Sequence, residues 1–341
     1  MDVGTYERFR QNLQRQRQNL VDWLKGTPPA KKGIALGPVS EDGVQTRLEK
    51  LEEAIAKTEA HTFGLCTVCH EDVNADLLEM DFTACVCLDH FSDDQRRRLE
   101  QDLELSHKVQ KALLPKEAPS IPGLRIAAFI QPAEIVGGDY FDFFRFKDGS
   151  YGIAIADVMG KGLPASMLVA SLQASLRILV PDHDSPADVM KRLNNLFCNN
   201  IHLIKFITIV LARYNPDTRI LEYCNAGHNP PLHLHAANGL AVTKLMPTGA
   251  AIGLTETMEY ANEKVELQKG DSLLLYTDGA TEARNASAEE FSENRLSQWL
   301  TANAHLEPKG LIDGIRNSLR EFTGSKVLQD DLTLVAGKLV A

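Results

Sequence analysis

The sequence predicts an α+β protein in which a β-sandwich flanked by helices follows a helical N-terminal region. Apolar runs typical of strands appear after residue 123, in two groups, with turn residues between them. Two helical segments separate these groups. Earlier in the chain, apolar residues recur at spacings of three and four, which indicates helices. Strands on both sides of a helical pair are typical of two packed sheets with helices on their outer faces.

The composition is that of a globular protein with room for two domains. The chain has 341 residues, of which 44% are apolar and 24% are charged. Its net charge of -10 argues against a general nucleic-acid-binding protein, because little positive charge is available to neutralise phosphates. The apolar runs read as too short to span a bilayer, and the first residues lack the layout of a secretory signal. We therefore expect a cytoplasmic protein without membrane or nucleic-acid partners.

Two amphipathic helices are predicted before residue 60. Their apolar faces are formed by Phe9, Leu13, Leu20 and Leu24 in the first and by Val44, Leu48, Leu51 and Ile55 in the second. The segment between them is rich in Gly, Pro and Lys, which ends the first helix. We expect an antiparallel helical pair, either as a simple packing unit or as a binding surface.

Four of the six cysteines lie close together after the helical pair. Cys66 and Cys69 form a Cys-x-x-Cys knuckle, and Cys87 and His90 repeat the same spacing. Two such knuckles predict one structural Zn²⁺ ion held by these four side chains in a closed tetrahedral site. Cys85 in place of His90 is the alternative ligand, and a set of free thiols is the alternative to a metal site.

The segment from Gly64 to His90 resembles the zinc finger of the DksA/TraR family. The similarity rests on the Phe-Gly-x-Cys-x-x-Cys start at Phe63, on Leu77–Met80, and on Thr83-Ala84 before the second knuckle. Family members that act on RNA polymerase carry an acidic motif at the tip of their helical pair, whereas residues 26–33 here contain no acid. The resemblance therefore implies a sensing or scaffolding module.

A third helix is predicted between residues 93 and 114, before Pro115 ends it. Its three-four spacing is carried by Leu99, Leu103, Ser106, Gln110 and Leu113. A seam of this kind indicates a dimeric coiled coil with two polar positions. A monomeric connecting helix is the alternative.

The remaining elements are predicted in chain order from their periodicity and turn residues. Strands are expected at 124–130, 140–146, 151–156, 206–214, 220–225, near 232, near 242, at 272–277 and at 332–339. Helices are expected at 164–179, 186–201, 289–300 and 309–322.

Acidic residues recur where these strands begin or end. They are Asp139 after two glycines, Asp157 before Val158-Met159-Gly160, Asp278 before Gly279, and the pair Asp330-Asp331 before the last strand. One such acid is typical of a turn or a helix cap. Four in one domain favour a centre for hard cations, because carboxylates are the ligands that Mg²⁺ and Mn²⁺ prefer.

The same residues carry a resemblance to a known enzyme family. The ordered motifs are Gln110–Pro115, Val136–Tyr140, Asp157–Gly162, Asn225–Pro231, Tyr276–Glu282 and Asp330–Thr333. With them, residues 103–340 resemble the metal-dependent Ser/Thr protein phosphatases of type 2C, in the bacterial SpoIIE-like branch. The resemblance implies an αββα sandwich with two Mn²⁺ or Mg²⁺ ions between its sheets. It also implies hydrolysis of phosphoserine or phosphothreonine on a protein by metal-activated water.

The resemblance assigns roles position by position. Asp157 is expected to bridge both ions, with the Val158 carbonyl as a further ligand. Asp139 is expected to bind one ion, and Asp278 and Asp330 the other, with Asp331 as the alternative to Asp330. Asp139, Asp157 and Asp278 are the expected catalytic residues.

Two further residues have open roles. His228 in Asn225–Pro231 is either a general acid or, more typically, a turn-stabilising side chain. Relatives from eukaryotes place an early Arg on the phosphate, and no position before Asp139 matches it. Lys161 is a candidate for that work, although a lysine in a turn is usually solvated.

Together these features predict three parts: a helical hairpin with a DksA/TraR-like zinc finger at 1–91, a helical linker at 92–117 and the phosphatase domain at 118–341. The resemblance suggests a phosphorylated STAS-type anti-sigma-factor antagonist as substrate, and the linker predicts a homodimer. The helix at 164–179 is a candidate lever between linker and metals. The alternatives are a transcription-associated binding protein and a pseudophosphatase scaffold.

Overall fold

The structure is a computed structural model that describes residues 3–26, 41–74, 77–78, 82–200, 206–237, 239–255, 257–325 and 328–340. It contains two compact units, Met1–Gln101 and Asp102–Ala341. Most of the acid-free tip at 26–33, and the second half of Leu77–Met80, lie outside the described residues. The seven described helices are α1 Val3–Gly26, α2 Glu41–Glu59, α3 Asp93–Leu113, α4 Gly162–Leu179, α5 Pro186–Asn200, α6 Ser292–Ala302 and α7 Pro308–Thr323.

In the first unit, α1 and α2 pack on each other around a small apolar core. Its buried residues are Phe9, Leu13, Leu51, Ala54, Phe63, Cys66, Val73 and Leu78. The predicted apolar faces are thus confirmed for Phe9, Leu13 and Leu51, whereas the side chains of Leu20, Leu24 and Val44 are not among those described.

In the second unit, ten described strands form two five-stranded antiparallel sheets. Their bounds are β1 Leu124–Gln131, β2 Asp139–Arg145, β3 Tyr151–Val158, β4 Ile207–Asn215, β5 Ile220–Ala226, β6 Leu232–Leu234, β7 Val242–Lys244, β8 Glu263–Glu266, β9 Ser272–Tyr276 and β10 Leu332–Leu339. The first sheet has the order β1-β10-β9-β6-β7, and the second has the order β2-β3-β4-β5-β8. The sequence prediction missed β8, a short edge strand of mostly exposed residues without the apolar alternation that marks a strand.

Three apolar layers hold this unit together. Between the sheets, residues such as Phe143, Ile155 and Leu275 pack face to face. On the outer face of the second sheet lie α4 and α5, through residues such as Leu172. The helices α6 and α7 cover the first sheet, with Leu311 among the buried side chains. The predicted sandwich of two sheets between helical layers is confirmed.

The expectation that every apolar segment is too short to span a membrane is wrong for the segment that contains helix α4. By length and composition alone, Gly162–Asp182 is long and apolar enough, with a mean hydropathy of 1.5. Its apolar residues Ala165, Leu168 and Leu172 are buried against the second sheet. In this protein the segment is therefore a core helix of the sandwich.

The structure also contradicts the prediction that Gln110 lies on a coiled-coil seam. This side chain is buried within its own unit, where it contacts the backbone of Gly137. It therefore does not face a partner helix. The exposed large apolar residues of α3 are Leu105 and Val109, which lie four positions apart on one face of the helix.

Candidate metal centre

Two of the predicted acids face each other across the second sheet. The antiparallel register of β2 and β3 places Asp139 opposite Asp157. Asp139 begins β2, and Asp157 lies at the end of β3, just before a turn. Gly160 in that turn has φ of 103°, a left-handed conformation that favours glycine. Both carboxylates therefore lie at one end of the sheet on backbone that is fixed by strand pairing.

The other acids come from neighbouring strands of the first sheet. Asp278 follows β9 and Asp330 precedes β10, and these strands are adjacent. The hydroxyls of Thr277 and Thr333 both donate to Asp139 Oδ2, at 2.7 and 2.6 Å. These bonds join the ends of the two sheets, because Asp139 belongs to one sheet and both threonines to the other. The structure thus brings the predicted acids to one end of the sandwich.

These carboxylates raise one another's pKa values. Burial, followed by the charge of Asp157, raises the pKa of Asp139 well above its usual range. Burial and then the charges of Asp278 and Asp330 raise the pKa of Asp157 to about 7. Burial and then Asp330 raise the pKa of Asp278 to about 6. A group of oxygen ligands that repel one another in this way fits divalent Mg²⁺ or Mn²⁺, whose positive charge offsets the repulsion.

Asp330 and Asp331 have different surroundings. Asp331 is buried, and its two oxygens accept the backbone N–H groups of Ala133 and Gly138 at 2.8 and 2.7 Å. Asp330 is 41% exposed, and its carboxylate pairs with Lys161 Nζ at 3.1 Å. Asp331 therefore fixes the connection between β1 and β2, whereas the Asp330 carboxylate is the more available ligand.

The two glycines before Asp139 allow a close approach of three segments. A side chain at Gly138 would come within 2.6 Å of the Val158 carbonyl oxygen, and one at Gly137 would overlap the Asp331 carboxylate. Gly138 also accepts a hydrogen bond from the Val158 N–H at 3.1 Å. Glycine at these positions lets Asp139, Val158 and Asp331 lie close together.

Residues 147–339 match the profile of the family described as stage II sporulation protein E (SpoIIE). This match covers more than half of the chain. The chain belongs to the SpoIIE family.

Two named relatives agree with this assignment, and a solved structure shows a similar fold. The phosphoserine phosphatase RsbU of Bacillus subtilis is 30% identical over 243 residues, which are 70% of this chain and 70% of RsbU. The phosphoserine phosphatase RsbP of the same organism is 28% identical over 184 residues, 53% of this chain and 45% of RsbP. The SiaA-PP2C domain of Pseudomonas aeruginosa has a similar fold, with a TM-score of 0.62 at 21% identity over 71% of this chain and 98% of that domain.

Two other residues near the motifs of this SpoIIE-family domain had open roles. His228 is buried, and its Nδ1 lies 2.8 Å from the Thr208 hydroxyl, while burial lowers its pKa to about 4. The ring of His228 is buried and neutral, and its backbone N–H donates to Asn225 Oδ1, which supports the turn-stabilising role.

Partial burial would lower the pKa of Lys161, but its hydrogen bond to Asp330 and the charges around it raise that pKa. Lys161 is therefore a protonated cation at the edge of the acidic centre.

The predicted zinc ligands form a separate cluster, in the first unit. Ligand atoms of Cys66, Cys69, Cys87 and His90 all lie within 4.8 Å of one another, with 2.9 Å between Cys87 Sγ and His90 Nδ1. Hydrogen bonds from backbone N–H groups lower the pKa of Cys66 to about 6. Cys85 is exposed and is not part of this cluster. The geometry therefore favours His90 over Cys85 as the fourth ligand.

A further cluster, which the sequence patterns did not indicate, lies where β6 pairs with the start of β9. His233 Nε2 lies 2.8 Å from Asp271 Oδ2, and the rings of His233 and His235 are 3.9 Å apart. Asp271 also accepts the N–H groups of Ala236 and Gln268. Because the Asp271 carboxylate already accepts these backbone N–H groups, we interpret the cluster as stabilising the turns at Ala236 and Gln268.

Proposed function

We propose that this SpoIIE-family protein is a metal-dependent protein serine/threonine phosphatase, which hydrolyses phosphoserine or phosphothreonine on a signalling protein. The observation that carries the proposal is the convergence of four strand-end acids on one electrostatically coupled centre. The two relatives named phosphoserine phosphatases support the reaction. The chain spans less than half of RsbP, so the similarity speaks for this domain and not for the whole of that protein.

The proposed ligands for two Mn²⁺ or Mg²⁺ ions are Asp139, Asp157, Asp278 and Asp330, with the Val158 carbonyl. When bound, such a pair supplies Lewis acidity and makes hydroxide available near neutral pH. Asp157 is the central acid, because its pKa responds to the charges of both Asp278 and Asp330 and its own charge raises the pKa of Asp139. We assign Asp331 to structure, since both of its oxygens already accept backbone N–H groups.

The other residues of the centre hold these ligands and receive the substrate. Thr277 and Thr333 bind Oδ2 of Asp139 and so fix the rotation of its carboxylate. Lys161 is half-exposed and protonated, at the edge of the centre. We propose that Lys161 attracts the phosphate group of the substrate, because the surrounding acids would otherwise repel its negative charge.

The N-terminal part is proposed to be a regulatory module. Cys66, Cys69, Cys87 and His90 have the donor types and the spacing for one structural Zn²⁺ ion. We retain the division into a DksA/TraR-like hairpin and finger at 1–91, a linker at 92–117 and the catalytic domain at 118–341. A homodimer through the linker is proposed, with the exposed Leu105 and Val109 as its contact in place of Gln110.

The proposed substrate is a phosphorylated STAS-type antagonist of an anti-sigma factor, in the cytoplasm. This choice rests on the similarity to RsbU and RsbP.

Hydrolysis of p-nitrophenyl phosphate and of a phosphoserine peptide, with and without Mn²⁺, tests the proposal. The parent protein should hydrolyse both only with added metal, and Asp157→Asn should be inactive. Asp217→Asn is the matched control, because Asp217 is an exposed turn residue. An inactive parent protein that still binds Mn²⁺ would instead favour a scaffold. Elemental analysis of the same preparation should give about one zinc per chain.

A further inference from the structure

The connection between β1 and β2 places Asp139 in the metal centre. It ends in Gly137 and Gly138, which lose more conformational entropy on ordering than any other residue type. Because glycine has such wide conformational freedom, this segment alone does not hold Asp139 in place. Contacts from other elements must therefore fix it.

On one side, the segment is fixed by the carboxylate of Asp331. That side chain accepts the N–H groups of Ala133 and Gly138, so it holds both ends of the connection. The Val158 N–H adds a bond to the Gly138 carbonyl. These contacts come from Asp331, which is next to the proposed ligand Asp330, and from Val158, whose carbonyl is itself a proposed ligand.

On the other side, the segment is fixed by the C-terminal half of α3. The Gln110 side-chain amide donates to the Gly137 carbonyl at 2.6 Å and accepts the Gly137 N–H at 3.2 Å. One turn earlier, His107 Nδ1 lies 2.6 Å from the Ile135 carbonyl. Gln110 is the buried residue of this mostly exposed helix. Its amide satisfies both backbone groups of the residue two positions before Asp139.

We propose that Gln110 is a positioning residue, through which helix α3 sets the place of Asp139 and thereby the metal affinity of the centre. The inference rests on the proposed function, since it concerns the same metal centre. The two hydrogen bonds of the Gln110 side chain go to the Gly137 backbone, so we propose that it acts through this peptide. Helix α3 is thus connected to the proposed metal ligand Asp139 through the Gly137 peptide.

Gln110→Met tests this role, because methionine keeps the length and unbranched shape of glutamine but makes neither hydrogen bond. Mn²⁺ binding is measured by calorimetry on the full-length protein, together with the Mn²⁺ concentration for half-maximal hydrolysis of p-nitrophenyl phosphate. We expect both constants to weaken by about tenfold, because both hydrogen bonds to the buried Gly137 backbone are lost. At saturating Mn²⁺, kcat should stay within about twofold of the parent value.

Gln101→Met is the matched control, the same change at an exposed position of the same helix, and should leave both constants unchanged. His107→Ala should shift them in the same direction by a smaller factor, because its contact is exposed to solvent, and it serves as the second variant if Gln110→Met does not fold. A lower melting temperature with unchanged Mn²⁺ affinity would overturn the proposal and leave a structural role. A parent protein that neither binds Mn²⁺ nor hydrolyses phosphate would instead refute the proposed function.

Discussion

The acidic centre of the sandwich and the Cys/His cluster of the N-terminal unit assemble their side chains over very different stretches of sequence. The acids come from Asp139 to Asp330, at the ends of strands in two sheets. The four cluster residues lie between Cys66 and His90, next to a small apolar core. The acidic centre is thus held by a unit with large apolar cores of its own. The apolar core beside the Cys/His cluster is small, so we expect the order of the cluster to depend on its ion.

The largest expected effect is therefore on the N-terminal unit. Cys66→Ser should remove the bound zinc and unfold the segment around the cluster, because structural zinc contributes about 10 kcal/mol or more to small domains. Elemental analysis and limited proteolysis would measure the loss. Hydrolysis of p-nitrophenyl phosphate at saturating Mn²⁺ should persist, because the sandwich has its own core.

Cys85→Ser is the control for this variant, since Cys85 is exposed and outside the cluster. It should retain about one zinc per chain. Equal loss of zinc from both variants would show that the cluster geometry does not identify the ligands.

The acidic centre should respond in the opposite way, with loss of activity but not of fold. Asp278→Asn is expected to lower kcat/KM by roughly 100-fold or more, because it removes charge that holds the catalytic cations. The metal-free variant should melt at a higher temperature than the metal-free parent at pH 8, because one repelled buried charge is gone. A melting temperature that falls would show that Asp278 serves the fold instead.

The pH dependence of stability sharpens the same contrast. Burial and mutual repulsion raise the pKa of Asp157 to about 7 and that of Asp278 to about 6, above their usual value of 3.8. The folded protein therefore holds protons that the unfolded chain releases, and this stabilisation is complete below about pH 4. It is lost as the pH rises through the folded pKa values, so metal-free protein should lose a few kcal/mol between about pH 5 and pH 8.

Urea unfolding in EDTA at the two pH values would measure this loss. Added Mn²⁺ should reverse the trend, because metal binds the deprotonated acids. A metal-free protein that is equally stable at both values would contradict the coupling between the acids.

The smallest effect separates the two neighbouring acids before β10. Asp331→Ala should lower the free energy of unfolding by about 2 kcal/mol, because two backbone N–H groups lose their acceptor. Asp330→Ala should leave stability nearly unchanged and weaken Mn²⁺ binding. Urea unfolding and calorimetry on both variants would measure the difference, and the reverse result would exchange the assigned roles of these acids.

Much of the sandwich could be predicted because its signals are local. Apolar runs give β3 and β4, and the glycines of the turn after Asp157 mark the end of β3. The edge strand β8 has no such run, and its position is set by pairing with β5. Apolar runs therefore predict buried strands better than exposed edges.

The contacts that hold the metal centre could not be predicted in the same way. Asp331 accepts the N–H of Ala133, 198 positions earlier in the chain, and no local pattern encodes that distance. The spacing of α3 marked Gln110 as a seam residue, but periodicity shows only which side of a helix is covered and not what covers it. The family motifs contained the acids and also Gln110, Thr277 and Thr333, whereas the roles of these three residues around Asp139 emerged only from the fold.

The place of β10 has a consequence for how the enzyme is made. This last strand lies between β1 and β9, and it is the strand that pairs along the whole of β1. During synthesis on the ribosome, β1 therefore waits for a partner that is translated about 200 residues later. A nascent chain that stops short of β10 has a divided first sheet and lacks Asp330, so a fragment released early cannot dephosphorylate the signalling protein. Such fragments expose the edge of β1 and should depend on chaperones to avoid aggregation.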